Sequence, residues 1–148
     1  NILLGSQDPE CDPQVWVQNP DEFDRNITEE QWRTQVLRLA RRLPSLGIPS
    51  ERKGVVDLYD VSDDWIPIYD KTDLDGFYVA IGTSGNQFKN SHIAAYCMVR
   101  LIDAVEAGHD HDSDPVKVKM LYTGLELDMG VFSRNREINE ASSFSVLG

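Results

Sequence analysis

The chain has 148 residues, room for one domain or for one and a fragment of another. Its 25 acidic and 14 basic residues leave a net charge of −11, a poor electrostatic match for nucleic acid phosphates or an anionic membrane. At 41% hydrophobic it can build a core, yet no run approaches the ~20 apolar residues of a membrane span.

The opening Asn1-Ile-Leu-Leu-Gly5 reads as a chain starting inside a strand over Ile2 to Leu4, and so as a piece of a longer protein. Asp8 to Asn26 is rich in Pro, Asp and Asn, which favours turns and extended loop, with Trp16 as the expected core anchor. A helix follows. Thr28 and Gln31 match a capping box, Ile27 is placed to staple onto Trp32, and Glu29 and Glu30 open the first turn. Trp32, Val36, Leu39 and Leu43 share a face, Arg41 and Arg42 end the helix and Pro44 closes it. Arg33, Arg38 and Arg41 read as a solvated face.

Gly54 to Val61 alternates as a strand, and Ile66 to Tyr69 predicts a short edge piece. After a turn at Asp73 to Gly76, Phe77 to Ile81 reads as a continuous, fully buried strand. Ser91 to Ala107 predicts a second helix, with Ile93, Cys97, Leu101 and Val105 in one stripe and Gly108 as its stop. A polar, solvent-exposed loop over 109–119 and strands at Lys117–Tyr122 and Val131–Ser133 complete an α+β (or α/β) arrangement, divided at residues 1–54 and 55–148.

The two cysteines, Cys11 and Cys97, support neither a disulfide framework nor a Cys-rich zinc site, and a reducing, cytoplasmic compartment is the expectation. Asp110, Asp112 and Asp114 copy the opening of a calcium loop. The pattern then fails, with Pro115 where the turn needs Gly and Leu121 where a bidentate Glu belongs. Cys97 sits among apolar residues like an inert core thiol, and Ser84 misses the GxSxG spacing. The order strand, glycine turn, helix over Gly76 to His92 is a physical basis for anion acceptance, since helix N-terminal N–H groups face whatever lies above the strand end and Lys89 adds charge there. Glycines serving only a tight turn account for the same residues equally well.

Three ordered blocks carry a resemblance: Asp57-Leu-Tyr-Asp-Val-Ser-Asp-Asp-Trp-Ile-Pro-Ile68, Leu74-Asp-Gly-Phe-Tyr-Val-Ala-Ile-Gly-Thr-Ser-Gly-Asn-Gln-Phe-Lys89 and Phe132-Ser-Arg-Asn-Arg136. They resemble the C-terminal part of FAD-dependent amine oxidoreductases of the D-amino-acid oxidase superfamily, of the sarcosine oxidase and dimethylglycine dehydrogenase type. The resemblance covers most of residues 55–107 and the tail motif. It implies a fragment of a two-domain flavoprotein: residues 1–54 from an antiparallel substrate-domain sheet with its helix, and residues 55–148 bearing a crossover strand and the FAD-contacting strand–turn–helix.

The resemblance implies that Ser84, Gly85, Asn86, Gln87, Phe88 and Lys89 bind the flavin, that Lys89 pairs with a substrate carboxylate and that Tyr59 is an active-site tyrosine. Lys89 and Tyr59 would be the catalytic and substrate-binding pair, and no metal is implied. Asn86 stands where sarcosine oxidases often have His, and Gln87 where Gly is frequent. Asp57 replaces the Cys that links flavin in some members, so the FAD would be non-covalent. The GxGxxG unit that holds the other half of FAD does not occur in this sequence. The expected partners are therefore a small amine or amino acid and an N-terminal FAD-binding segment, and the isolated chain is expected to be inactive. Two other functions stay open: a non-catalytic acidic binding or assembly domain on the same fold, and a flavoenzyme for a hydroxy acid or glycerol phosphate.

Overall fold

The computed structural model describes residues 2–5 and 15–144. The chain forms two compact units, Asn1–Leu58 and Tyr59–Gly148, so the division falls four residues beyond the expected one. Together they contain helices and small antiparallel sheets, an α+β composition.

In the first unit, α1 spans Glu29–Arg42. The capping box forms as its sequence requires: the Gln31 N–H donates to Thr28 Oγ1 at 3.1 Å and the Thr28 N–H donates to Gln31 Oε1 at 3.0 Å. A short 3-10 turn, Pro44–Leu46, follows. The apolar stripe exists, but Trp32, Val36 and Leu39 are only half-buried, Leu43 is exposed and no residue of α1 is buried. A helix buries its stripe only against a second layer, and the described residues of this unit contain no strand or second α-helix. The chain leaving α1 returns along the segment that leads into it. Gly54 lies so close to Ile27 that a Cβ there would meet it at 2.9 Å, and the Val56 N–H donates to Arg25 O at 3.4 Å.

Two expectations for this unit fail. Ile2 to Leu4 form no strand and Leu3 is 93% exposed; Trp16 anchors nothing and is 71% exposed. Apolar residues become strand or core only where partner backbone and partner side chains meet them. Cys11 and most of the Asp8–Asn26 loop's first half lie outside the described residues.

The expected strand Gly54–Val61 does not form on either side of the unit boundary. Val55 and Tyr59 are exposed, and Asp57 bonds its own neighbour, the Leu58 N–H, at 2.9 Å. Alternation alone supplies no hydrogen-bonding partner.

In the second unit, β1 (Ile68–Lys71) and β2 (Tyr78–Ile81) form an antiparallel hairpin with Tyr69 opposite Ala80 and Asp70 opposite Val79. Its turn is closed by the Thr72 N–H to Phe77 O, 2.9 Å, with Gly76 at φ +73°. The expectation of a fully buried strand at Phe77–Ile81 is wrong. Phe77, Ala80 and Ile81 are exposed, because β2 pairs on one side only and a two-stranded ribbon does not cover both of its faces.

α2, Ser91–Glu106, packs on β1 and ends in a Schellman cap: Gly108 (φ +92°) donates to Val105 O and His109 donates to Ala104 O. Cys97 and Leu101 of its stripe are buried, whereas Ile93 is exposed. They join Tyr69, Val116, Val118 and Met129 in the core, with Tyr78, Leu127 and Phe132 against it. A second hairpin pairs β3 (Lys117–Lys119) with β4 (Glu126–Asp128), the latter not foreseen.

Val131–Ser133 is not a strand. Asp128 caps a 3-10 turn, Met129–Phe132, by accepting the Gly130 N–H at 2.8 Å. No helix among the described residues is long and apolar enough to cross a membrane.

Candidate functional site

Two segments more than twenty residues apart meet at the Gly82–Gly85 turn. Asp60 holds it with every acceptor it has. Its Oδ1 accepts the Thr83 hydroxyl at 2.5 Å, its Oδ2 the Thr83 N–H at 3.1 Å, and its carbonyl the Ser84 N–H at 2.9 Å. Burial works to raise the Asp60 pKa, but the hydrogen bonds from Thr83 outweigh it and hold the carboxyl below its ordinary value. Gly82, Ser84 and Gly85 all have positive φ, 66°, 51° and 74°. Only Ser84 bears a side chain at this cost. Its hydroxyl donates to Gly82 O at 3.1 Å.

Beside Asp60, the Tyr59 ring lies against Gly85, where a Cβ would sit 2.5 Å from Cε1. A glycine is therefore required there both by its φ and by the ring. The turn runs into a 3-10 segment, Gln87–Asn90, and then directly into α2. Gln87 stitches this junction: its Oε1 accepts from Tyr69 Oη at 3.4 Å and from Asn90 Nδ2 at 3.2 Å, and its Nε2 donates to Asn86 Oδ1.

The structure brings Tyr59, Ser84 and Gly85 together and places Asn86, Gln87, Phe88 and Lys89 in sequence beyond them. Their environments differ. Ser84 is fully buried, and the N–H groups of Ser84 and Asn86 are already bonded, to Asp60 O and Thr83 O. Tyr59, Gly85 and Lys89 are exposed, and Phe88 is 95% exposed. The surface open to a ligand is thus Tyr59, Gly85 and the start of the 3-10 segment, where the first amides of a helix have no intrahelical acceptor. An exposed glycine backbone beside an aromatic ring suits the edge of a planar, electron-rich ring.

No family model, curated protein or solved structure matches the chain.

Sequence reasoning overlooked a second constellation, of buried charge. Asp70 is fully buried and accepts from Ser133 Oγ (3.0 Å), the Arg134 N–H (2.7 Å) and Arg134 Nη1 (3.3 Å). Arg134 forks further onto Asp112 at 2.8 and 3.1 Å and onto Asp73 at 2.6 Å, and Lys71 reaches Asp112 at 2.6 Å. The Arg134 bonds come first among the causes that hold Asp112 down, to about 2. The solvent loop expected at 109–119 is in fact part of this network. His111 is 1% exposed and its Nδ1 accepts the Val116 N–H at 3.0 Å. Its Nε2 lies 3.4 Å from Asp70 Oδ1 without the alignment of a hydrogen bond. Burial pushes the His111 pKa down against the pull of Asp70.

The alternating Asp and His residues at 109–114 were the available signal, since a polar run so dense in charge needs an explanation when two arginines follow at Arg134 and Arg136. Neither arginine is left over for a ligand, and among the described residues no three His, Cys, Asp or Glu side chains are grouped to hold a metal ion. A half-open cleft of about 410 Å³ lies between the β1–β2 turn and the end of α2, beside Lys71, Tyr78, Glu106 and His109; it includes none of the expected site residues.

Proposed function

We propose that this chain is the C-terminal part of an FAD-dependent oxidoreductase that oxidises an amino acid or N-methyl amino acid. The observation that supports this reading best is the packing of Tyr59 against Gly85, with Asp60 holding Thr83 and Ser84. It joins the first two blocks of the resemblance at the residues to which that resemblance assigns the chemistry.

On this reading Tyr59, Gly85, Gln87, Phe88 and Lys89 face the flavin, while Ser84 and Asn86 support the turn rather than donate their amides. Bound FAD would supply the acceptor for the hydride leaving the substrate Cα–H. The chain's own residues bind and orient. The Lys89 ammonium pairs with the substrate carboxylate, fixing the Cα–H toward the ring. The Tyr59 hydroxyl offers a hydrogen bond at the same mouth. The Gly85 N–H and the first amides of the 3-10 segment would hold the electron-rich edge of the flavin ring, from positions that need no reorganisation.

The test is expression of the full reading frame that contains these residues. The expected product carries stoichiometric flavin and oxidises small amino acids, and Lys89→Ala abolishes turnover while retaining flavin. Absence of flavin from the intact protein, or unchanged turnover in Lys89→Ala, overturns the reading. The 148-residue chain by itself is expected to bind FAD poorly and to turn over no amine.

A further inference from the structure

We infer that Asp60 is the positioning residue of this site, acting through Thr83 and Ser84 to hold the Tyr59 ring against Gly85. The inference rests on the flavin reading only for the use made of the site; the placement itself follows from contacts. The turn between β2 and the 3-10 segment is costly to hold by itself. Three of its residues are left-handed, one of them the non-glycine Ser84 at φ +51°. Within the turn, the hydrogen bonds that offset that cost among the described residues are the Ser84 hydroxyl to Gly82 O and the Asn86 N–H to Thr83 O.

The remaining restraint comes from outside. Asp60 binds both the hydroxyl and the N–H of Thr83 and, through its carbonyl, the N–H of Ser84. Three bonds from one residue to two successive residues fix orientation as well as distance. Tyr59 is the residue covalently next to that clamp, and its ring occupies the space that a Cβ on Gly85 would fill. The ring is itself more than half exposed, so burial does not keep it there. Removing the clamp frees the segment that carries Tyr59 and the turn that receives it.

The experiment is solution NMR on the full 148-residue chain, reading cross-relaxation between the Tyr59 ring protons and Gly85 Hα, and the Ser84 amide–Hα coupling that reports its positive φ. Asp60→Ala is expected to lose the Tyr59–Gly85 cross-peaks and to shift the Ser84 coupling, while the Tyr69–Phe132 ring contact, at 5.2 Å between centroids, remains. Thr83→Val is expected to do the same with Asp60 intact, and it decides the matter if Asp60→Ala does not fold. Thr83→Ser restores the hydroxyl and the cross-peaks. Persistence of the cross-peaks in Asp60→Ala or Thr83→Val overturns the inference. So does their loss together with the Tyr69–Phe132 contact in both Asp60→Ala and Thr83→Val, which marks the clamp as a general stabiliser. None of these readouts needs flavin. The flavin reading fails separately, by the absence of bound cofactor from the full-length protein.

Discussion

Arg136 and Asp64, 72 positions apart, form a two-pronged ion pair, with Nη2 2.6 Å from Oδ1 and Nε 3.1 Å from Oδ2. Asp64 is 1% exposed, and it also accepts the N–H groups of Ile66 and Asn139. The guanidinium also donates to the carbonyls of Ser133 and Ile66, at 2.9 and 2.8 Å. The pair thereby ties the tail to the segment that leads into β1, where Trp65 is held at φ +61°. Removing one partner strands the other charge in a buried site. Arg136→Met is expected to cost about 3–5 kcal/mol of stability in the unit, read from urea unfolding. Asp64→Asn together with Arg136→Met should cost less than the sum of the two single changes.

Acid should weaken the same unit in two stages. The His111 pKa lies below its ordinary value because the ring is buried, so the unfolded chain takes up a proton that the folded one refuses. Stability is full above about pH 6.5 and falls as the pH drops from there toward the folded value. At Asp64 burial pushes upward, but the bonds from Arg136 and the amides of Asn139 and Ile66 prevail, and the carboxyl lies well below its ordinary value. Asp112 lies at about 2. Their stabilisation is present above the ordinary carboxylate pKa of 3.8 and is lost as the pH falls through the folded values. Urea midpoints measured against pH should show both declines. His111→Asn, which keeps an acceptor for the Val116 N–H, should remove the first and leave the second.

Gly85→Ala is expected to disturb Tyr59 specifically. The new methyl meets the ring at 2.5 Å, and φ is +74°, a conformation that costs an L-residue about 1–2 kcal/mol before any clash. Gly108→Ala is the control, since its φ is +92° but no atom lies within 4 Å of the added carbon. Both variants should lose stability in thermal unfolding, and only Gly85→Ala should change the Tyr59 ring resonances. Adding Tyr59→Ala should relieve part of the Gly85→Ala cost.

The Tyr78 hydroxyl donates to Glu106 Oε1 at 2.6 Å, and that bond is the leading cause of a phenol pKa pushed up to about 12. Glu106→Gln should return it toward the ordinary value of 10.0. An ultraviolet phenolate titration that compares the two proteins reads the shift directly. An unchanged alkaline transition would show that the bond does not persist in solution.

The elements written most clearly in the sequence are those stabilised by near neighbours along the chain. Thr28 and Gln31 cap α1, Gly108 stops α2, and Asp73–Gly76 turns between two short strands, because each of these rests on hydrogen bonds that span a few residues. The Tyr59 and Gly82–Lys89 blocks were also legible, as motifs. What tertiary structure decided is everything whose partner is remote. Gly54–Val61 and Val131–Ser133 have strand-like alternation but no ladder, and Phe77–Ile81 has the composition of a buried strand but an uncovered face. The dense Asp and His run at 109–114 signalled that a buried charge network was needed but not which residues would pair, and the grip of Asp60 on Thr83 had no local signature. A charged residue reads as solvated until a countercharge or a hydrogen-bond donor is brought to it, and in this unit the fold brings one from more than twenty residues away.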